Sequence, residues 1–368
     1  MISKYKVGII VSRIDFGAAE LLEVNLAIEL SKLGLEVFLL PQYSEKKFND
    51  LKYEKKIKNN NLKIIRLNFD MPIKFIANIQ KIRDLKLEFI ISHNKGGDII
   101  GTLISIFSKT KHIKAFHEYY NNKINLSVIN MLWKISLRLV NFTFHISSYV
   151  QKKNIATFKL NNNKSNVIDN AIHFKETNTP FSLERFSLPK NKKIILSIAR
   201  VVEYKGYKHN LDILIPILKN REDSIYVFAG DNSEDLSFFN KINEIIINNN
   251  LQNKVFYLGQ INNVIGLMKK SKVLIHFPER EGFGLIILEA LFANLPIVAS
   301  EVGGIPELLH NTFYKPLSLS NTSNARKTIE KYLDSNDIIN HDIEKIKNKY
   351  SHSRRAKNIY KIFDKLSI

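Results

Sequence analysis

Short apolar runs alternate with helix-length amphipathic stretches from one end of this chain to the other. KVGIIVS (6–12) leads into the helical pattern AAELLEVNLAIELSKLG (18–34) and then into EVFLL (36–40). KIIRL (63–67), EFIIS (88–92), HIKAF (112–116) and FTFHI (142–146) continue the series, with helix-like segments near 73–85, 97–108 and 124–140 between them. Strands that are apolar on both faces and separated by helices predict a parallel, doubly wound α/β sheet. A second series repeats the plan: KIILSIA (193–199), SIYVFAG (224–230), KVFYLG (254–259), VLIHF (273–277) and PIVAS (296–300). At 368 residues the chain exceeds one ordinary core, so two Rossmann-like domains are expected. The polar stretch FKETNTPFSLERFSLPKN (174–191), with Pro180 and Pro189, marks the linker. The expected division is a first domain over 1–175, a second over 190–350, and a Lys-rich helix over 351–368 that packs back on the first. Two such domains make an interdomain cleft, and ligands of such sheets bind beyond the carboxyl ends of the strands.

Composition narrows the class. No apolar run reaches the roughly 18–20 residues that span a bilayer. MISKYKVGIIVSRIDFG reads as a first strand, not a signal peptide. With 0 Cys there is neither a disulfide framework nor a thiolate metal site, so a cytoplasmic protein, free or at a membrane surface, is expected. The net charge of +20 admits nucleic acid, anionic lipid or phosphorylated substrates as partners. It also admits a bland origin, because Lys, Asn and Ile abound together as they do in translated AT-rich genomes. Aromatic-interleaved basic motifs of the single-strand-binding kind are not evident.

Chemistry-bearing residues collect where the strand rule points. VLIHF is followed by PEREGFG and then by the helical LIILEALFA, so Glu281, Gly282, Phe283, Gly284 and Leu285 lie at a helix mouth with Glu289 more than a turn inside. Glycines there let backbone approach a ligand, and unpaired N–H groups suit an anion. A capped helix, with Glu281 favouring the macrodipole and Glu289 solvated, is the alternative on spacing alone. PIVAS runs into Gly303 and Gly304 ahead of Pro306, a second glycine-opened helix mouth and a plausible phosphate cradle. Arg200 and Lys205 follow KIILSIA and form a cation pair suited to a diphosphate, unless they are ordinary surface bases.

This set resembles the donor-binding half of the retaining glycosyltransferases of family 4, of the bacterial envelope polysaccharide type. The residues carrying the resemblance are Arg200, Lys205-Gly206, FAGD (228–231), YLG (257–259), Glu281-x7-Glu289 and GGIPE (303–307). FGAAE (16–20), SHNKGGDIIG (92–101), AFHEYY (115–120) and HISSYVQKK (145–153) extend the likeness through the first half, with Gly17, His93 and His117 at matching places. The chain departs from the family at Gly17-Ala18-Ala19, at Asn170-Ala171-Ile172-His173 and at HNTFYKPLSLS after GGIPELL. The resemblance implies the GT-B fold and transfer of a sugar, with retention, from a UDP-, GDP- or ADP-sugar to a hydroxyl of a glycan or glycolipid, the expected acceptor being a lipid-linked or growing envelope glycan. It implies that Arg200 and Lys205 stabilise the leaving diphosphate, that Glu289 bonds the ribose, and that Glu281 and His117 meet the donor sugar. The leaving phosphate itself would deprotonate the acceptor. No convincing Asp-x-Asp loop is present, so neither metal nor cofactor is expected. A sugar-nucleotide epimerase on the same fold and a basic nucleic-acid-binding protein are the rival readings. Glu20 is a candidate helix cap. The segment KINLSVINMLWKISLRLVNF (123–142) reads as a buried helix, the alternative being a partly exposed one lying on a membrane.

Overall fold

The computed structural model describes residues 4–11, 18–42, 57, 59–60, 62–65, 72–120, 127–173, 180–337 and 340–367. They form two compact units, one of Met1–Ile172 with Lys349–Ile368 and one of His173–Asn348.

The first unit is built on seven strands: β1 (Lys6–Val11), β2 (Glu36–Pro41), β3 (Lys63–Ile64), β4 (Phe89–Ser92), β5 (Lys111–Phe116), β6 (Phe142–His145) and β7 (Ser165–Val167). All pair in parallel, in the order β3-β2-β1-β4-β5-β6-β7. Parallel strands need crossovers, and helices 18–32, 72–85, 95–108, 128–139 and 148–158 supply them. Several start on a polar cap: Asn94 accepts from Gly97 N, Ser127 from Asn130 N and Ser147 from Val150 N. The last helix, His352–Ser367, returns to this unit and buries Ala356, Ile359, Ile362 and Phe363 among Val7, Ile9, Phe89 and Phe142. Phe363 stacks on Phe89 with centroids 4.5 Å apart.

The second unit carries five parallel strands: β8 (Lys193–Ile198), β9 (Ser224–Ala229), β10 (Val255–Tyr257), β11 (Val273–His276) and β12 (Ile297–Ala299). Their order is β10-β9-β8-β11-β12. Chain direction across the sheet therefore reverses between β8 and β11, as it does between β1 and β4 in the first unit. That reversal leaves a crevice at the carboxyl ends of the two strands concerned, where ligands of such sheets sit.

One expectation is corrected. The Val128–Leu139 helix is not buried: only Trp133, Ser136 and Leu137 face inward, and most of its apolar side chains are exposed. Its apolar residues occupy both sides of the helix, and a sequence alone does not say which side the sheet covers. Among the described residues no helix is long and apolar enough to cross a membrane.

Candidate functional site

Two loops meet at the reversal in the second sheet. The loop after β8 carries Arg200 and Lys205; the loop after β11 carries Glu281 to Gly284. They are joined through backbone, Glu279 N donating to Tyr204 O at 2.9 Å. Gly206, at φ 80, lies so close to the β11 loop that a Cβ there would meet Phe277 O at 1.8 Å. Only glycine accepts both that conformation and that contact.

This packing brings Lys205 and Glu281 together. Lys205 Nζ donates to Glu281 Oε2 at 2.9 Å, and the buried His276, last residue of β11, lies 3.3 Å from the same oxygen through Nε2. Burial would push the Glu281 carboxyl up, but the His276 hydrogen bond and the Lys205 charge outweigh it and hold the group at about 2. Glu281 is thus an anion with one oxygen committed. Glu289 differs. It is half-buried in the Leu285–Phe292 helix, its side chain has no hydrogen-bond or ion-pair partner among the described residues, and burial raises it to about 7. The helix starts at Leu285, where the helical LIILEALFA segment begins, with Gly284 as an N-cap that offers no side-chain bond. Its first N–H groups therefore lack the usual capping acceptor.

Gly303 shows why the next loop also begins with glycine. At φ 63 it presses on Glu281, where a Cβ would stand 1.6 Å from the carbonyl oxygen, and Gly304 N donates to that oxygen at 3.3 Å. A Cβ on Gly304 would lie 2.9 Å from the Cα of the buried Phe283. The pair thus packs the β12 loop onto Glu281–Phe283, so these glycines shape the site by loop-to-loop contact. Gly282 and Leu285, both half-buried, complete the helix mouth.

Arg200 is not brought against Lys205. Its exposed guanidinium pairs with Glu234 and donates from Nη2 to the Tyr204 hydroxyl at 2.6 Å. Tyr204 is the common neighbour, its ring 5.7 Å from Lys205 Nζ and 5.8 Å from the Arg280 guanidinium.

In the first unit, His93 follows β4 and His117 follows β5, and the two rings meet with His93 Nδ1 3.0 Å from His117 Nε2. Between them and the final helix sits Glu23, buried, 2.8 Å from His93 Nε2, 3.3 Å from His117 Nε2 and 3.3 Å from Arg355 Nη2. Burial works against the Glu23 charge, yet His93, Arg355 and His117 together keep its carboxyl well below the usual range. Burial also lowers His93 to about 4, so it is neutral at pH 7 and Arg355 is the cation that balances Glu23. Among the described residues Glu23, His93 and His117 form a set whose ligand atoms all lie within 4.8 Å, as a metal would need. The Arg355 guanidinium on the same carboxylate opposes a second cation. Gly17 and the side chain of Glu20 lie outside the described residues.

Sequence reasoning missed Glu23, His276, Glu234 and Arg355. Glu23 and His276 did leave a trace, each being a polar residue inside an otherwise core-facing pattern, where burial demands a partner. Glu234 and Arg355 sit in ordinary polar sequence and left none.

Residues 179–350 match the family model of the glycosyl transferases group 1. The N-acetyl-alpha-D-glucosaminyl L-malate synthase of Bacillus anthracis is 28% identical over 146 residues, 40% of this chain and 37% of that protein. The phosphatidylinositol N-acetylglucosaminyltransferase GPI3 subunit of Saccharomyces cerevisiae is 28% identical over 201 residues, 53% of this chain and 43% of that one. The chain thus spans less than half the length of these two curated relatives. The crystal structure of HepE from Anabaena in complex with UDP and glucose superposes with a TM-score of 0.80 at 15% identity, covering 98% of this chain and 100% of that one. A glycosyltransferase from Rickettsia africae gives 0.74 at 20% identity, covering 98% of both. The fold is the GT-B fold of these glycosyltransferases.

Proposed function

We propose that this chain, whose residues 179–350 match the family model of the glycosyl transferases group 1, transfers a sugar, with retention of anomeric configuration, from a nucleoside diphosphate to an acceptor hydroxyl. The observation that carries this reading is the meeting of Lys205 and Glu281, 2.9 Å apart, where β8 and β11 end beside an uncapped helix mouth. As the bond from the anomeric carbon to the phosphate oxygen breaks, charge grows on the departing diphosphate. Lys205, Arg200 and the N–H groups at Gly284–Leu285 stabilise it, each such donor being worth about 10²–10³ in rate. The acceptor oxygen bonds to the anomeric carbon and its proton passes to the leaving phosphate. Glu289, whose side chain has no partner among the described residues, accepts from the ribose hydroxyls; Glu281 holds the donor sugar. Gly303 and Gly304 keep the loop of Glu281 in place.

The fixed cations make a divalent metal unnecessary in this reading, and no cofactor is invoked. UDP is the favoured nucleotide on the likeness to the UDP-bound HepE structure, with GDP- and ADP-sugars as the other donors to test. The acceptor is a lipid-linked or growing envelope glycan, met at the inner face of the cell membrane. The family match favours transfer over the epimerase and nucleic-acid readings. Incubation with UDP-, GDP- and ADP-sugars and a glycolipid acceptor, with the product's anomeric configuration read by NMR, tests the proposal. Release of nucleoside diphosphate without an acceptor-linked sugar contradicts transfer, and an inverted product contradicts retention.

A further inference from the structure

Six large apolar side chains of one short helix stand in solvent. Val128, Ile129, Met131, Leu132, Ile135 and Leu139 are between 45% (Leu132) and 66% (Val128) exposed. At about 100° per residue, Met131, Ile135, Val128, Leu139 and Leu132 fall within one arc of roughly 100°. Ile129 lies beyond one edge of that arc, and the exposed Arg138 and Lys134 lie beyond the other.

The outward face is fixed by what holds the inward one. Trp133 Nε1 donates to Asp98 Oδ2 at 2.6 Å, and Asp98 pairs with the buried Lys114 at 2.9 Å. Lys95 donates to Asn130 at 3.1 Å, and the Thr102 hydroxyl reaches Ser136 O at 3.4 Å. These contacts advance in the same direction along both helices, so Lys95–Ser108 runs parallel to Val128–Leu139. Its far end adds Ile106, 58% exposed, and Phe107, 55% exposed, followed by the exposed Lys109. The two helices contain one carboxylate between them, Asp98, and it is buried.

We propose that this face docks on an anionic lipid bilayer, the Val128–Leu139 helix lying in the headgroup plane. An apolar stripe bordered by bases is the pattern of a helix that lies on a membrane, its side chains entering the acyl boundary while Lys134, Arg138 and Lys109 meet lipid phosphates. Twelve residues of helix are about 18 Å long, too short to span. A second copy fits poorly, because a self-complementary contact would face these cations with their own kind and no carboxylate. The inference deepens the transfer reading by naming the surface that would bring the chain to a lipid-linked acceptor.

The test uses the full chain without donor, sedimented with vesicles of equal parts phosphatidylcholine and phosphatidylglycerol, and with phosphatidylcholine alone. The expected result is binding to the mixed vesicles, at least tenfold weaker binding by the Leu132→Glu/Ile135→Glu variant, and several-fold weaker binding by Lys134→Gln/Arg138→Gln. Transfer to a soluble acceptor stays unchanged in both variants, so failure of docking and failure of the transfer reading are distinguishable. No binding by the wild type, equal binding by Leu132→Glu/Ile135→Glu, or a solution dimer that this variant dissolves would each overturn the proposal.

Discussion

Lys205 and Glu281, 76 positions apart in sequence, share an ion pair of 2.9 Å at the point where the second sheet reverses its winding. His276 takes the same carboxylate oxygen from below. A ligand arriving there meets a cation and an anion already set against each other, with no reorganisation needed before charge develops. Lys205→Ala is expected to lower kcat by about 10²–10³ while circular dichroism stays unchanged. Steady-state kinetics with the donor that the wild type uses would check this.

Arg200 should behave differently, because in the ligand-free protein it leans on Glu234 at the surface. Exposed pairs of this kind are weak, about 1 kcal/mol or less. Removing Glu234 leaves Arg200 available to a diphosphate at little cost to the fold. Glu234→Ala is expected to tighten nucleoside diphosphate binding by up to a few-fold, whereas Arg200→Ala weakens it. Isothermal titration of both variants decides between this and a purely structural pairing.

Glu289 and Glu281 respond oppositely to pH. The folded state holds Glu289 at about 7, above its ordinary value, so between about pH 4.5 and 7 the folded chain binds more protons and its stability falls as pH rises. Glu281, held at about 2, contributes stability that is present at neutral pH and lost as pH falls through the acid range. Glu289→Gln should therefore stabilise the ligand-free protein at pH 8 by about 1–2 kcal/mol, allowing for screening at a half-buried group, and not at pH 4.5. That corresponds to a Tm increase of roughly 2–6 °C. The same variant should lose the wild type's gain in nucleotide affinity as pH rises through 7. Thermal melts and titrations at both pH values measure these effects.

Gly303→Ala tests the loop packing. A Cβ 1.6 Å from Glu281 O, on a residue at φ 63, cannot be absorbed without moving the site loop. The expected cost is about 3 kcal/mol or more, with loss of nucleotide binding. Gly259 has φ 65 but open space around it, so Gly259→Ala should cost only about 1–2 kcal/mol and leave binding intact. Denaturant titration of the two variants provides the comparison.

In the first unit Glu23 ties His117 to Arg355 of the final helix. Glu23→Gln leaves the Arg355 charge buried without its counter-ion, and about 3–5 kcal/mol of stability should be lost. Glu23→Leu combined with Arg355→Met should cost less than the sum of the single changes, the signature of direct coupling in a double-mutant cycle.

The strands and the doubly wound class were legible because parallel strands buried on both faces have little choice but to be apolar throughout. Glu281, Glu289 and the glycine-opened loops were legible because they fall just beyond such strands. What no spacing encodes is which strands become neighbours. Lys205 meets Glu281 only because β8 lies beside β11, and that placement also selects His276 over the other histidines. Glu289 is half-buried rather than fully solvated, a placement that helix spacing alone does not encode. The Val128–Leu139 helix was misread because its apolar residues cover more than one face, and the sheet takes only the side with Trp133, Ser136 and Leu137.

The central claim is that Arg200, Lys205 and the Leu285 helix mouth grip the pyrophosphate of a nucleotide sugar. Isothermal titration of UDP, GDP and ADP into the wild type, Lys205→Ala and Arg200→Ala tests it most directly. The account predicts that one nucleoside diphosphate binds the wild type and binds both variants at least tenfold more weakly. Undiminished affinity in both variants, or no binding of any of the three by the wild type, would contradict it.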